Sequence, residues 1–133
     1  MPIEKKYRNR NFEFWGGIEC TVNRVNDQYF DQLFLSGHYE RESDIQLISE
    51  LGVKVLRYPI LWEKHQPTIQ HAPDWKQTTR MLDNLNKQGI RPIAGLLHHG
   101  SGPNFTNLLD PSFPVLFADY ARTVAQKFPW INH

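Results

Sequence analysis

The stretch "ELGVKVLRYPILW", residues 50–62, decides the fold, because it passes from a helix to a strand through a single glycine. Gly52 is a helix-stop signal, and the residues after it are β-branched and aromatic, which is typical of a strand. The segment "KQGIRPIAGLL", residues 87–97, repeats this arrangement with Gly89. Two strands that each follow a helix through one glycine predict consecutive βα units.

The rest of the chain supplies neighbours for these two strands. The pattern predicts strands near 14–23, 53–61 and 90–98, and helices near 43–51, 74–88 and 111–128. Strands that alternate with amphipathic helices predict an α/β fold with a parallel sheet. The predicted loops after strands are long and those after helices are almost absent, which is typical of a (β/α)8 barrel, whose working face lies at the C-terminal ends of the strands.

A complete barrel needs eight such units in about 250 residues. The chain has 133 residues and three predicted units. We therefore expect residues 12–133 to be the first three βα units of a (β/α)8 barrel, incomplete in this chain, after a solvated leader at 1–11. No G-x-G-x-x-G follows the first strand, which disfavours a dinucleotide-binding fold.

Composition excludes several functional classes. The 15 basic and 14 acidic residues are mixed along the chain and give a net charge of +1, which does not favour a nucleic-acid partner. No apolar run approaches the roughly 20 residues that a membrane helix needs. The only cysteine, Cys20, excludes an internal disulfide, so a cytoplasmic location is the default expectation.

Polar side chains are predicted near the C-terminal end of each strand. Because side chains alternate across a strand, Asn23, Arg57 and His98 are expected to converge at one end of the sheet. Glu19 shares a predicted face with Asn23, and Trp62 at the end of the second strand could stack on a sugar ring.

Purely structural roles for the same residues stay open. Arg57 could be a structural ion-pair member, with Glu19 as one candidate partner, and Glu19 could be a carboxylate of the barrel core. His98 could bond only to backbone, and Trp62 could be core. A metal site at His98 and His99 lacks an evident third ligand, so no metal or other cofactor is expected.

Four segments carry a family resemblance: "FWGGIECTVN" (14–23), "HYERESDIQLISELGVKVLRYPILW" (38–62), "GIRPIAGLLHH" (89–99) and "FADYARTVAQKFPWINH" (117–133). In this order they resemble the N-terminal part of glycoside hydrolase family 1, the retaining β-glucosidase type of (β/α)8 barrel. Asn23 stands where the family has glutamine, His99 where it has tryptophan, and Pro59 where it has serine. With these departures the chain is most similar to a divergent branch, the glycosidase-like domain found ahead of dTDP-4-dehydrorhamnose reductase-like domains.

The resemblance implies a function and a division of labour. It implies retaining hydrolysis of β-linked glycosides, with sugar binding by Asn23 and His98 and with Arg57 beside the nucleophile. The family's two catalytic glutamates come from later strands, so they are expected beyond residue 133 and this chain alone is expected to be inactive. The implied partner is a carbohydrate substrate, and the open barrel could associate with itself.

Two other hypotheses stay open. The replacements at Asn23 and His99 also suit a non-catalytic sugar-binding or regulatory barrel domain linked to nucleotide-sugar metabolism. The adjacent pair His98 and His99 also suits a metal-dependent barrel hydrolase.

Overall fold

The computed structural model describes residues 12–18, 22–99 and 102–133. The predicted leader at 1–11, as well as Glu19 and Cys20, lies outside the described residues. The described strands are β1 (Phe14–Gly17), β2 (Val22–Val25), β3 (Gln28–Asp31), β4 (Val53–Pro59) and β5 (Arg91–Gly95). The described helices are α1 (Gln32–Leu35), α2 (Ser43–Glu50), α3 (Trp62–His65), α4 (Lys76–Lys87) and α5 (Phe113–Lys127), with a 3-10 turn at His38–Glu40.

The main sheet has the order β1-β4-β5, and both of its strand pairs are parallel. The prediction of three parallel strands joined through helices is thus confirmed. Beyond β5, the Ala94 N–H donates to the His133 carbonyl at 2.7 Å, so the end of the chain lies along the outer edge of this strand. In the part of the chain that the structure describes, no helix is long and apolar enough to cross a bilayer.

The two glycines that precede β4 and β5 have the conformation that the sequence predicts. Gly52 has a φ of 83° and Gly89 a φ of 69°, and a Cβ added at either position would meet no atom within 4 Å. Glycine is therefore needed because it adopts the left-handed backbone conformation easily, and not because a side chain would clash. This conformation ends a helix, since it lets the following backbone N–H groups bond the last helix carbonyls. The strands begin directly after these turns, which accounts for the short connections.

The core lies between the sheet and the helices. Leu56, Tyr58 and Ile60 of the second parallel strand and its continuation are buried against the helical layer. The Tyr120 hydroxyl of α5 donates to the Ile60 carbonyl at 2.7 Å, which ties that helix to the end of β4. The other buried members are Ile45, Trp62, Met81, Leu82, Leu85, Ile90, Val124 and Phe128.

The first predicted strand, 14–23, is wrong in its extent. Among the described residues, the register with β4 covers Phe14–Gly17 and is followed by a hydrogen bond from the Ile18 N–H to the Arg57 carbonyl, whereas Val22–Val25 pairs antiparallel with Gln28–Asp31 as a separate hairpin. Asn26 and Asp27 form its two-residue turn with φ values of 49° and 60°. Positive φ at both turn residues gives a turn whose twist matches a hairpin, so local pairing captures this segment.

Alternation along the third strand predicts that Ala94 and Leu96 point into the barrel, and this prediction is wrong. Ala94 pairs in register with Tyr58, and both Ala94 and Leu96 pack against the helix-side core. Ile93 pairs with Arg57. Ala94 and Leu96 therefore face the helices and not the barrel interior, because the register between strands, which the sequence does not show, sets the face.

Candidate functional site

Arg57 and His98 are brought together at the C-terminal end of the parallel sheet. Both line one pocket, with Ile18, Tyr58, Pro59, Leu61, Gly95 and Leu97 as the remaining lining residues. A Cβ added at Gly17 would lie 3.6 Å from Nε of Arg57, so the guanidinium group lies next to the neighbouring strand β1. A cationic group and an imidazole in one pocket can bind a carboxylate and sugar hydroxyls, respectively.

Asn23 lies elsewhere. It is exposed on the hairpin, paired with Phe30, and it is not among the residues that line the Arg57–His98 pocket. The predicted placement of Asn23 at the end of a parallel strand is therefore wrong, because the chain leaves the parallel sheet before reaching it. Glu19, the other predicted residue of this segment, lies outside the described residues.

Trp62 is a core residue and not an accessible stacking surface. Its side chain is only 1% exposed, and its ring centroid lies 5.7 Å from those of Phe105, Phe117 and Tyr120. The indole N–H donates to Gln66 Oε1 at 3.0 Å. The prediction that Trp62 contacts sugar is corrected on this ground, since the segment after β5 and helix α5 enclose the ring.

Glu63, the residue directly after Trp62, has no matched carboxylate at a neighbouring strand end in the sequence, which did not predict that its side chain is enclosed. It is only 7% exposed, and its Oε2 accepts a hydrogen bond from the Gly102 N–H at 3.2 Å. Burial raises the pKa of this carboxyl to about 7, while the backbone hydrogen bonds and the charge of Arg24 act to lower it. A glutamate directly after an apolar strand is the signal that could have identified it, because the working face of a barrel begins there.

The two adjacent histidines do not form a metal centre with other described groups. The ring centroids of His98 and His99 are 4.1 Å apart, and His99 is exposed with a φ of 52°. Within residues 12–18, 22–99 and 102–133, no three histidine, cysteine, aspartate or glutamate side chains are grouped so that they could hold a metal ion.

Comparison with known proteins relates this chain to β-glucosidases. No protein-family model matches the chain. Beta-glucosidase 6 of Oryza sativa subsp. japonica is 24% identical over 136 residues, which covers 92% of this chain and 25% of the relative. Beta-glucosidase A of Thermotoga maritima is 29% identical over 99 residues, which covers 68% of this chain and 22% of the relative.

Solved structures show the same relationship. A β-glucosidase from Exiguobacterium marinum superposes with a TM-score of 0.62 at 26% identity, covering 71% of this chain and 23% of that one. The Thermotoga maritima β-glucosidase in complex with cyclophellitol gives 0.62 at 27% identity with the same coverage. A family 1 β-glucosidase from Thermotoga maritima gives 0.60 at 28% identity, again with 71% and 23% coverage.

These similarities define the class of fold. The chain forms the first three βα units of a (β/α)8 barrel and is similar in sequence and structure to β-glucosidases, among them the family 1 enzyme above. It spans about a quarter of the length of the curated relatives that it matches, 25% and 22% for the two above.

Proposed function

We propose that this chain is the N-terminal part of a family-1-like glycoside hydrolase that cleaves β-linked glycosides by retaining hydrolysis. Its own contribution is sugar binding. The observation that carries the proposal is the pocket shared by Arg57 and His98 at the C-terminal end of a parallel sheet. The similarity to β-glucosidases supports the choice of substrate class.

The chemistry divides between this segment and later strands. Retaining hydrolysis needs two carboxyl groups about 5–5.5 Å apart, one as acid/base and one as nucleophile. We assign both to glutamates outside residues 1–133. The guanidinium of Arg57 would hold the nucleophile ionised, because a nearby cation lowers the pKa of a carboxyl group. His98 would hydrogen-bond a hydroxyl of the sugar.

The proposal predicts binding without turnover by the 133-residue chain. An NMR titration with glucose should shift resonances at the pocket, and His98→Ala should weaken that binding at least tenfold. His71→Ala is the matched control, because His71 lies on an exposed turn after α3. Equal binding by both variants would contradict the proposed site, and hydrolysis of an aryl β-glucoside by this chain would contradict the assignment of the glutamates.

A second candidate function is a non-catalytic sugar-binding or regulatory barrel domain linked to nucleotide-sugar metabolism. The position of Asn23 favours it, since the hairpin holds this residue away from the Arg57–His98 pocket. This candidate includes the divergent branch that precedes dehydrorhamnose reductase-like domains. Sugar binding without turnover by a longer protein that contains this segment would favour it, whereas turnover lost on changing the later glutamates would exclude it.

We further propose that the 133-residue chain associates with itself in solution. β1 is an edge of the described sheet, and its Phe14 and Trp15 are exposed. An unpaired strand edge with apolar side chains is prone to strand addition. Sedimentation of the purified chain should therefore show a dimer or a larger species, and a folded monomer at tens of micromolar would contradict this.

The single cysteine makes a cytoplasmic location our working proposal.

A further inference from the structure

Residues 102–106, in the loop between β5 and α5, are held from two sides. From the hairpin, Arg24 Nη1 donates to the carbonyls of Pro103 at 3.0 Å and Thr106 at 2.8 Å. The Tyr29 hydroxyl donates to the Gly102 carbonyl at 2.9 Å. From helix α3, Glu63 Oε2 accepts the Gly102 N–H at 3.2 Å. Gly102 is thus bonded through both of its backbone polar groups.

Arg24 and Asp31, the charged groups of the hairpin beside this loop, each have an ion-pair partner. Arg24 pairs with Asp27, at 2.9 Å from Nε and 2.5 Å from Nη2. Asp31 pairs with the Lys64 ammonium group at 2.8 Å. Glu63 Oε1 is buried and has no hydrogen-bond partner among the described residues. An enclosed carboxylate without its own cation is costly, so this group favours the protonated form.

Among the described residues, charged groups on these neighbouring elements act on Glu63. Arg24 on β2 stabilises its ionised form, and Asp31 at the end of β3 opposes that form. The two phenols that sense its charge are Tyr29 on β3 and Tyr120 on α5, and burial raises the pKa of each. Both phenols are neutral near pH 7, so Glu63 is the member of this group whose charge changes there.

The held loop contacts the wall of the Arg57–His98 pocket. Gly102 has a φ of 80°, and a Cβ added to it would lie 3.5 Å from Cδ1 of Leu97. Leu97 lines the pocket together with Arg57 and His98. A shift of residues 102–106 would therefore remove a contact behind one side of that pocket.

We propose that Glu63 is a proton-operated latch: its protonated form keeps residues 102–106 closed against the hairpin, and its ionisation releases them next to the Arg57–His98 pocket. Closing encloses the carboxyl group between Trp62 and Gly102, and opening returns it to water. This inference does not depend on the proposed glycosidase function, because it concerns a loop equilibrium of the chain itself.

Hydrogen exchange tests the latch on the 133-residue chain in the assembly state in which it purifies. After correction for intrinsic rates, exchange of the Gly102 amide reports the opening equilibrium. We expect the opening constant to rise by up to about tenfold per pH unit between pH 5 and 7 and to level off above, because the closed form holds one proton that the open form releases. Glu63→Gln should give a flat profile, since the amide does not titrate.

Two controls separate the latch from a general loosening of the loop. Tyr29→Phe removes one hydrogen bond to Gly102 and should raise opening by a constant factor at every pH, leaving the slope unchanged. Glu50→Gln changes an exposed carboxylate on α2 and should alter neither the opening constant nor its slope with pH. Parallel pH profiles for wild type and Glu63→Gln would overturn the proposal.

A direct titration covers the case in which the Glu63→Gln chain does not fold. The ¹³C shift of the Glu63 side-chain carboxyl in the wild-type chain should move between pH 6 and 8. A midpoint below pH 5.5, or a wild-type opening constant that does not change with pH, would overturn the latch without any variant. Neither result bears on sugar binding at His98, so failure of the latch and failure of the proposed function are distinguishable.

Discussion

Replacement of Trp62 by alanine is expected to destabilise the fold strongly. The indole is 1% exposed and makes ring contacts with Phe105, Phe113, Phe117 and Tyr120 at 5.7–5.8 Å. Truncating a buried tryptophan to alanine costs about 3–5 kcal/mol, since the transfer free energy is lost and a cavity remains. Loss of the hydrogen bond to Gln66 adds up to about 1 kcal/mol. For a domain with a total stability of about 5–15 kcal/mol, this loss is about a fifth or more of the whole.

Urea unfolding followed by far-UV circular dichroism measures this loss, because the far-UV signal comes mainly from the backbone and so reports unfolding in the variant as well. Protein concentration is held fixed, since self-association shifts apparent stability. Trp15→Ala is the matched control: Trp15 is 65% exposed, so we expect a loss below about 1 kcal/mol. A loss below 1 kcal/mol for Trp62→Ala, combined with weaker sugar binding, would refute the core assignment and restore Trp62 to the ligand site.

Three further expectations concern the polar side chains of Tyr120, Glu63 and Asp44. Tyr120→Phe should lower the free energy of unfolding by about 1–3 kcal/mol in urea titrations, because the Ile60 carbonyl loses its 2.7 Å donor; an unchanged midpoint would contradict this. The pKa of Glu63 is raised from 4.5 to about 7, so between these pH values the folded state keeps a proton that the unfolded state loses. The free energy of unfolding should therefore fall by about 3 kcal/mol as the pH rises from 4.5 to 7. Glu63→Gln should abolish this fall, and a wild-type stability that rises over the window would contradict the sign. Burial raises the pKa of Asp44, but hydrogen bonds, first of all the one from His38, outweigh burial and lower this pKa. The stability that ionised Asp44 contributes should therefore be lost as the pH falls below the ordinary value of 3.8. Asp44→Asn should make the decrease in stability at acid pH shallower, and an unchanged decrease would contradict this.

The parallel sheet could be predicted because its signals are local. Gly52 and Gly89 end their helices in the left-handed conformation that only glycine adopts easily, and each is followed directly by a buried strand. Residues 53–59 and 91–95 lie within the predicted strands. The hairpin was missed although its turn could be read: Asn26-Asp27 suits a two-residue turn. The alternation of apolar and polar residues from 18 to 23 concealed it, because this pattern continues the first strand in sequence without a visible break.

Only those site residues could be predicted whose position depends on the end of a strand alone. Arg57 and His98 meet because each lies at the C-terminal end of a parallel strand, and this edge is common to all of them. Trp62 and Glu63 could not be assigned, since their surroundings come from residues 102–120, about 40 or more positions away in the sequence. The faces of the third strand depended on register with β4, which the sequence of either strand does not contain.

The bonds from Arg24 to residues 103 and 106 also bear on the order in which the molecule folds, since they join positions 79 and 82 residues apart. The hairpin closes through a two-residue turn, and isolated hairpins form in about 1–10 μs. Its attachment to the loop must wait until β5 is in place, because closing so long a loop is entropically costly before other contacts compensate. We therefore expect docking of the hairpin to be a late step. Changes at Arg24 should then speed unfolding while leaving the folding rate nearly constant.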